Sequence, residues 1–531
     1  MTSEMNCKKK THRKYQISHK CRFYFFIVLF SLLTFTGCHF PQPTEVTLTV
    51  SNQHQTDISE ILNPDLAATS TPNPIAIPDP STPTTPSEII ATLDAQPNKI
   101  LYTTHHGDTL PALAGRFGVP IESIESLGSL STTGYLPIGL QVRIPDVLEE
   151  TLPYGDPLLP DSEVVYGPSV GDFDTLSFAQ AAGGFLSTYS EVINGDKLTG
   201  PEIVQKVAIE TSTNPRLLLA LLEYQSNWVF GNPPNADNDI YPIGFGALDD
   251  TGLYKELLIT AKMLAQGFYG WRDGTWQELT FFGGQKGRLS PTLNAGSVAL
   301  MNFFATLYYP EWWAEHLVGD TSFPISYLEK FGNYWDRADA VEPYLVETLT
   351  QLELTLPFNI GERWSFTGGP HSSWQTGTPW GAIDFAPITG EPRCVPSVRW
   401  ATAAAPGLIV RSDNSVVALD LDGDGDEATG WVLVYQHIAK EGRVTAGTLL
   451  NQDDPIGHPS CEGGQATGTH LHFTRKYNGE WMGVREPLPL ILSGWQVLAG
   501  ERRYEGTLVK GDQIVSANPN GMTGSTIIRD E

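Results

Sequence analysis

The run THLHFTRKY, residues 469–477, places His470 and His472 two positions apart in a segment of strand-forming residues. In a strand, residues i and i+2 point to one face. Both imidazoles therefore address one site, while Leu471 turns into the opposite layer. Three further runs have the same character: GLIVRSD from Gly407, SVVALDLD from Ser415 and WVLVYQH from Trp431. Separated by turns, they predict an antiparallel β domain over residues 353–495. The alternation of WVLVYQH puts His437 on one face with Tyr435 and Leu433.

A second pairing lies upstream, in HSSWQTGTPWGAIDF, where His371 stands thirteen positions before Asp384. The residues between are small, polar or glycine, broken by two tryptophans. They have neither a helical nor a strand period over the full length, so the segment reads as a loop with a histidine and a carboxylate at its ends. Together with the histidine pair, this gives two or three imidazoles and one carboxylate. That is the donor set of a catalytic zinc, which keeps three protein ligands and an open position.

GPHSSWQTGTPWGAIDFAP, then VLVYQH, then CEGGQATGTHLHFTRKYNGEW resemble lysostaphin-type (LytM) zinc metallopeptidases, in the staphylolysin-like variant. That variant has its first ligand histidine thirteen residues before the aspartate. Most of the family has it four before, where this chain has Trp380. The resemblance implies that His371, Asp384 and His472 bind one zinc per chain and that His437 and His470 are the catalytic pair. It implies a zinc-dependent endopeptidase that cuts the peptide stems or cross-bridges of peptidoglycan with an activated water. The alternative is a catalytically inactive LytM-type regulator that binds the wall and activates an amidase. Dead members lose ligands, whereas all five positions are kept here. His458, in GHPSC, reads as a surface or turn residue.

The rest of the chain divides by composition. Residues 99–147 read as a small βααβ unit, with helices after GDTL (Gly107–Leu110) and over Ile121–Leu127, closed by a strand over Leu140–Ile144. Asp108 or Thr109 caps the first helix. This order, the GDTL turn and the closing G-x-x-x-x-I-P (Gly139–Pro145) resemble the LysM module, which implies binding to peptidoglycan glycan. Residues 160–350 carry apolar residues at helical spacing and read as an all-α middle domain. There NPRLLLALLEYQSNW loosely resembles the helix that ends in the catalytic Glu-Ser of lysozyme-like transglycosylases. Gln225 stands at the glutamate position, followed by Ser226. An amide cannot protonate a glycosidic oxygen, so the region reads as degenerate lysozyme-like, and Glu223 lies on another helical face. Tyr224, Trp228, Tyr269, Trp271, Trp312 and Trp313 suit either sugar stacking or core packing. Residues 496–531 read as a C-terminal β extension.

The N-terminus combines seven Lys/Arg before position 23 with the apolar run Phe23–Phe35 and then Thr36-Gly37-Cys38. Thirteen apolar residues fall short of the roughly twenty that span a bilayer. The segment resembles a lipoprotein signal over 1–37, with Cys38 lipidated, and implies an exported, membrane-anchored protein of the cell envelope. A Pro/Thr/Ser-rich tether over 38–98 follows. Two further cysteines, Cys394 and Cys461, remain to form a disulfide in an oxidising compartment. The formal charge of −27 argues against nucleic acid as a partner. Asp420, Asp422, Asp424 and Asp426, with Glu427, read either as a calcium loop or as a plain hairpin turn.

Overall fold

The computed structural model describes residues 93–530, apart from 95, 247–250 and 486. The expected signal segment, Cys38 and nearly all of the expected tether lie outside the described residues. Among the described residues, no helix is long and apolar enough to cross a membrane.

A nine-stranded antiparallel sheet organises the C-terminal half. Its strands are β1 (Arg363–Ser372), β2 (Trp380–Pro387), β3 (Gly407–Asp413), β4 (Val416–Asp420), β5 (Trp431–Gln436), β6 (Leu449–Leu450), β7 (Leu471–Tyr477), β8 (Glu480–Trp481) and β9 (Thr526–Ile528). Their spatial order is β6-β3-β4-β5-β7-β2-β1-β9, with β8 paired to β7. The segment between His371 and Asp384 keeps the expected loop over residues 373–379 but has strands at both ends. It is a β-hairpin, with His371 opposite Ala382 and Ser372 opposite Trp380. Glycines and register shifts at 368 and 371 hid the strand period.

The sheet is covered on both faces, and alternation sorts its residues between two cores. Val417, Leu419, Leu433, Tyr435, Leu471 and Phe473 point to one side. There they meet Leu492, Trp495, Val497, Leu508 and Val515 from a four-stranded sheet in the C-terminal region. Val416, Ala418, Val432 and Val434 point to the other side and join the core of the helical region. The C-terminal residues also enter the main sheet directly, because β9 pairs with β1.

The helical region contains the helices Gly200–Thr211, Pro215–Ser226, Leu253–Arg272 and Ala295–Leu307, among shorter ones. It also holds two small hairpins, Ser190–Thr199 and Glu278–Arg288, which helical spacing did not signal. Of the six aromatics singled out, Trp228, Tyr269, Trp271 and Trp313 are core residues. Trp312 is exposed and Tyr224 is half-buried.

In the first unit, Lys99–Thr103, Glu125–Ser126 and Gln141–Pro145 form a three-stranded sheet beside the helix Leu110–Phe117. Thr109 caps that helix by accepting the Ala112 N–H. The expected helix over 121–127 is absent. One 3-10 turn over Ile121–Ser123 ends at the extended Ile124, and Glu125 and Ser126 then pair with Arg143 and Val142.

A buried charge cluster joins the three regions. The Arg272 guanidinium donates to the His106 carbonyl at 2.9 Å and to Glu480 at 2.8 Å, and it lies 3.0 Å from Asp161. Tyr344 donates to Glu480, and Glu342 accepts the Ser162 N–H at 2.7 Å. Burial, and then the neighbouring Asp161, push the Glu342 carboxyl up to about 7 from 4.5. The folded state therefore holds this proton where the unfolded chain has lost it. Stability falls as pH rises from about 4.5 to about 7, and the loss is complete above that. Glu342→Gln keeps the acceptor oxygen and removes the titration. Its midpoint temperature is expected to fall less than the wild type's between pH 5 and pH 8, as differential scanning calorimetry will read.

Candidate metal centre

Three strands deliver the site. His371 lies near the end of β1, Asp384 is central in β2, and His472 is the second residue of β7, directly opposite Asp384. His371 Nε2 is 3.0 Å from His472 Nδ1, and Asp384 Oδ1 lies 3.4 Å and 3.3 Å from those two nitrogens. All three residues are buried.

The hydrogen bonds fix what these atoms offer. His371 Nδ1 is 2.9 Å from the Gly369 carbonyl, and His472 Nε2 is 3.0 Å from the Ser373 carbonyl. A carbonyl only accepts, so each of those ring nitrogens carries the proton. Both facing nitrogens therefore present lone pairs. Asp384 Oδ1 is buried and has no hydrogen-bond donor. Two lone pairs and a carboxylate oxygen within 3.4 Å repel one another unless a cation or a shared proton sits among them. Donors about 2.0–2.1 Å from a tetrahedral centre are about 3.3 Å apart, so the triangle fits a zinc-sized ion. The same three residues form a group able to hold a metal.

Charge sets the protonation states. Burial, with His472 and His470 adding to it, lowers His371 to about 4 against the pull of Asp384. Burial alone would raise Asp384, but the positive charge that His371 and His472 carry when protonated sets its carboxyl well below the ordinary range.

The other two histidines flank this group. His470 Nδ1 lies 2.7 Å from the Gly468 carbonyl, and its Nε2 is 3.9 Å from Asp384 Oδ1. His437 Nδ1 lies 3.0 Å from the Glu462 carbonyl, and the His437 and His470 ring centres are 4.5 Å apart. By the same reasoning, each keeps its Nε2 as a proton acceptor. His437 does not share a face with Tyr435. The strand ends at Gln436, and His437 adopts φ +65°. That left-handed residue breaks the alternation and turns the ring toward His470. Burial, and then His470, lower His437 to about 4.

Tyr504 escaped the sequence reading. Its ring stacks on His371 at 4.2 Å between centres. The Gly369 N–H donates to the Tyr504 carbonyl, and the Tyr504 N–H to that of Pro370. Its only sequence signal was a tyrosine in the charged turn ERRYE. Cys394 and Cys461 are bonded to each other, with Cα atoms 5.0 Å apart, which ties down the loop that leads to His470. His458 caps the Arg399 carbonyl and stands apart from the metal group.

The other sequence candidates fare differently. Oxygens of Asp420, Asp422 and Asp424 lie within 4.8 Å of one another. They accept N–H groups of their own loop, at Asp422, Gly423, Gly425, Asp424 and Asp426. Asp426 accepts instead from Ala428. Glu427 does not close a cation site. It is turned into the sheet and pairs with Arg411 at 2.7 Å and with Lys476 at 2.7 Å. In the helical region, Gln225 Oε1 accepts from the Tyr308 hydroxyl. The buried Glu223 accepts the Val229 and Phe230 N–H groups and pairs with Lys330. Glu223 is thus a structural clamp, with no oxygen left to serve as a general acid.

A double-layered antiparallel sheet carrying a buried His-Asp-His group and a flanking histidine pair defines the class of protein by its chemistry. Parts of the chain are similar to known metalloendopeptidases. Residues 157–343 match the family model described as the LasA N-terminal domain. Over 160 residues the chain is 26% identical to a beta-lytic metalloendopeptidase of Achromobacter lyticus, covering 29% of this chain and 40% of that protein. Over 139 residues it is 25% identical to protease LasA of Pseudomonas aeruginosa, covering 25% of this chain and 31% of that one. A beta-lytic metalloendopeptidase of Lysobacter enzymogenes is 26% identical over 159 residues, covering 29% of this chain and 83% of that protein. Among solved structures, the M23 metalloprotease pseudoalterin from the deep sea is 22% identical, with a TM-score of 0.27, covering 32% of this chain and 96% of that one. The chain thus spans well under half the length of the first two relatives.

Gly368 gives a direct test of the site. A Cβ there would lie 2.2 Å from Asp384 Oδ2. Gly368→Ala is expected to displace the carboxylate and weaken divalent-metal binding by roughly 10–100-fold, read by isothermal titration, while the far-ultraviolet spectrum stays that of the wild type.

Proposed function

We propose that the chain is a zinc-dependent endopeptidase of the cell envelope that hydrolyses peptide bonds in peptidoglycan stems or cross-bridges. The observation that carries this reading is the His371–Asp384–His472 triangle, with its three unprotonated donor atoms. His371 Nε2, Asp384 Oδ1 and His472 Nδ1 would hold one zinc, which supplies Lewis acidity toward water and a carbonyl oxygen. Metalloendopeptidase relatives, and the resemblance to lysostaphin-type enzymes, support the substrate class.

The chain's own residues supply the rest. Burial, and then the neighbouring His470, favour the neutral form of His437, and the Glu462 and Gly468 carbonyls keep the proton of each neutral ring on Nδ1. One Nε2 accepts the proton of the attacking water and returns it to the leaving amine. The other, when it enters the reaction with a solvent-derived proton on Nε2, would donate a hydrogen bond to the developing oxyanion. The Gly369 and Ser373 carbonyls fix the ligand tautomers, and the Tyr504 ring holds the His371 imidazole from its face. The 99–147 unit would hold peptidoglycan glycan, and a lipid on Cys38 would keep the enzyme at the membrane. Calcium at Asp420, Asp422 and Asp424 belongs to the same proposal only as an accessory ion that firms the loop.

Purified protein is expected to hold one zinc per chain. A chelator should abolish the clearing of cell walls, and added zinc should restore it. Mass spectrometry of digested walls should find new amino groups and no new sugar ends. His437→Ala and His470→Ala should each lower the rate by on the order of 10²–10⁴ while zinc content stays at one. New sugar ends, or full activity without metal, would refute the assignment.

A further inference from the structure

The helical region and the β3–β4 turn enclose a cleft of about 320 Å³. One wall is the hairpin and helix over 190–211, with Asp196, Lys206 and Glu210. The other is Arg411, Asp413 and Asn414.

The sheet register aligns this cleft with the metal centre. Asp413 pairs with Val416, Val416 with Gln436, Gln436 with His472, and His472 with Asp384. Directly paired residues share a face, so these five lie in one row across the sheet. Asp413 and the metal group therefore point to the same side. Three strand spacings separate β3 from β7, about 14 Å in all. An extended chain covers that in about four residues. Val416 is buried, so a substrate would run along the strand ends past the exposed Asn414 and Gly464 and the half-buried Gln436, a course at least as long as the row itself. A Cβ on Gly464 would stand 3.4 Å from the Gln436 amide and 3.7 Å from His437 Cε1, which places this rim beside the catalytic pair.

Charge states what the cleft accepts. Its two cations are committed. Arg411 grips Glu427 through two bonds of 2.7 and 2.8 Å, and Lys206 pairs with Glu210 at 2.5 Å. Asp413 is mostly exposed and lies 3.7 Å from Arg411. Asp196 has no ion pair among the described residues. Among the lining residues Asp196, Glu202, Glu210 and Asp413 outnumber Lys206 and Arg411, so the lining as a whole is negative.

We infer that this cleft is a distal specificity subsite that takes a basic side chain of the peptide substrate, about four residues from the bond that is cut. The inference rests on the peptidase reading and adds to it a position and a charge. It also makes the helical region a wall of the substrate groove.

The test uses the zinc-loaded full chain and extended peptides carrying lysine, N-acetyl-lysine or norleucine at each of positions two to six on either side of the scissile bond. At one position near the fourth, kcat/KM for lysine should exceed that for N-acetyl-lysine by on the order of tenfold. The ratio should shrink as salt rises. In the double variant Asp196→Asn with Asp413→Asn the same ratio should fall to near one; being internal to each protein, it is insensitive to a general loss of activity. Cleavage with no amine preference at any position overturns the subsite and leaves the peptidase standing, and so does a preference that persists in the double variant. Failure of the zinc-loaded chain to cut any peptide or cell wall overturns both.

Discussion

Two imidazole lone pairs and one carboxylate oxygen face each other across 3.0–3.4 Å in the interior of the sheet. Without a cation, such a group costs stability, because none of its members can satisfy another. The surrounding structure nevertheless fixes it from several directions. The Gly369 and Ser373 carbonyls set the tautomers, the β2–β7 register sets Asp384 opposite His472, and Tyr504 blocks rotation of His371. A fold that holds unfavourable donors together in this way stores the free energy that metal binding releases.

The sheet can hold the group because it is supported on both faces. The C-terminal strands back one face, and the helical region packs on the face that carries the histidines. Trp481 marks the seam. Its indole N–H donates to the Thr211 carbonyl, and its backbone N–H donates to the Tyr269 hydroxyl. Arg272 then ties in the first unit through the His106 carbonyl. The helical region therefore packs directly on the face that carries His371, Asp384 and His472 and is not a detached spacer, so its hairpin can line a cleft on the same side of the sheet.

The sequence made the donor set legible because strand period is a strong local signal. His470 and His472 share a face for the plain reason that they are two apart, and the structure places them so. His437 was misassigned because the same period was carried one residue too far, across a left-handed turn that no pattern announces. The helix expected over 121–127 failed for a related reason. Local spacing allowed it, but pairing with Arg143 and Val142 drew Glu125 and Ser126 into a strand. Tyr504 lay beyond sequence reasoning altogether, since only the fold of the last 35 residues brings it to His371. The hairpin between His371 and Asp384 was masked because glycines and register shifts erase alternation.

Glu223 and Glu427 show how burial decides between chemistry and structure for a carboxylate. Glu427 was a candidate by type and position, and Glu223 lies two residues from the place a lysozyme-like general acid would take. Glu223 accepts two backbone N–H groups and a lysine, and Glu427 is enclosed by Arg411 and Lys476. The two cations outweigh burial and bring Glu427 down to about 2, so it stays charged and occupied. Asp384 is equally buried, yet it keeps one oxygen without a donor. That single unsatisfied atom separates it from the others. A buried carboxylate whose partners are all supplied by the chain builds the fold, whereas one left open toward two lone pairs needs something the chain does not contain.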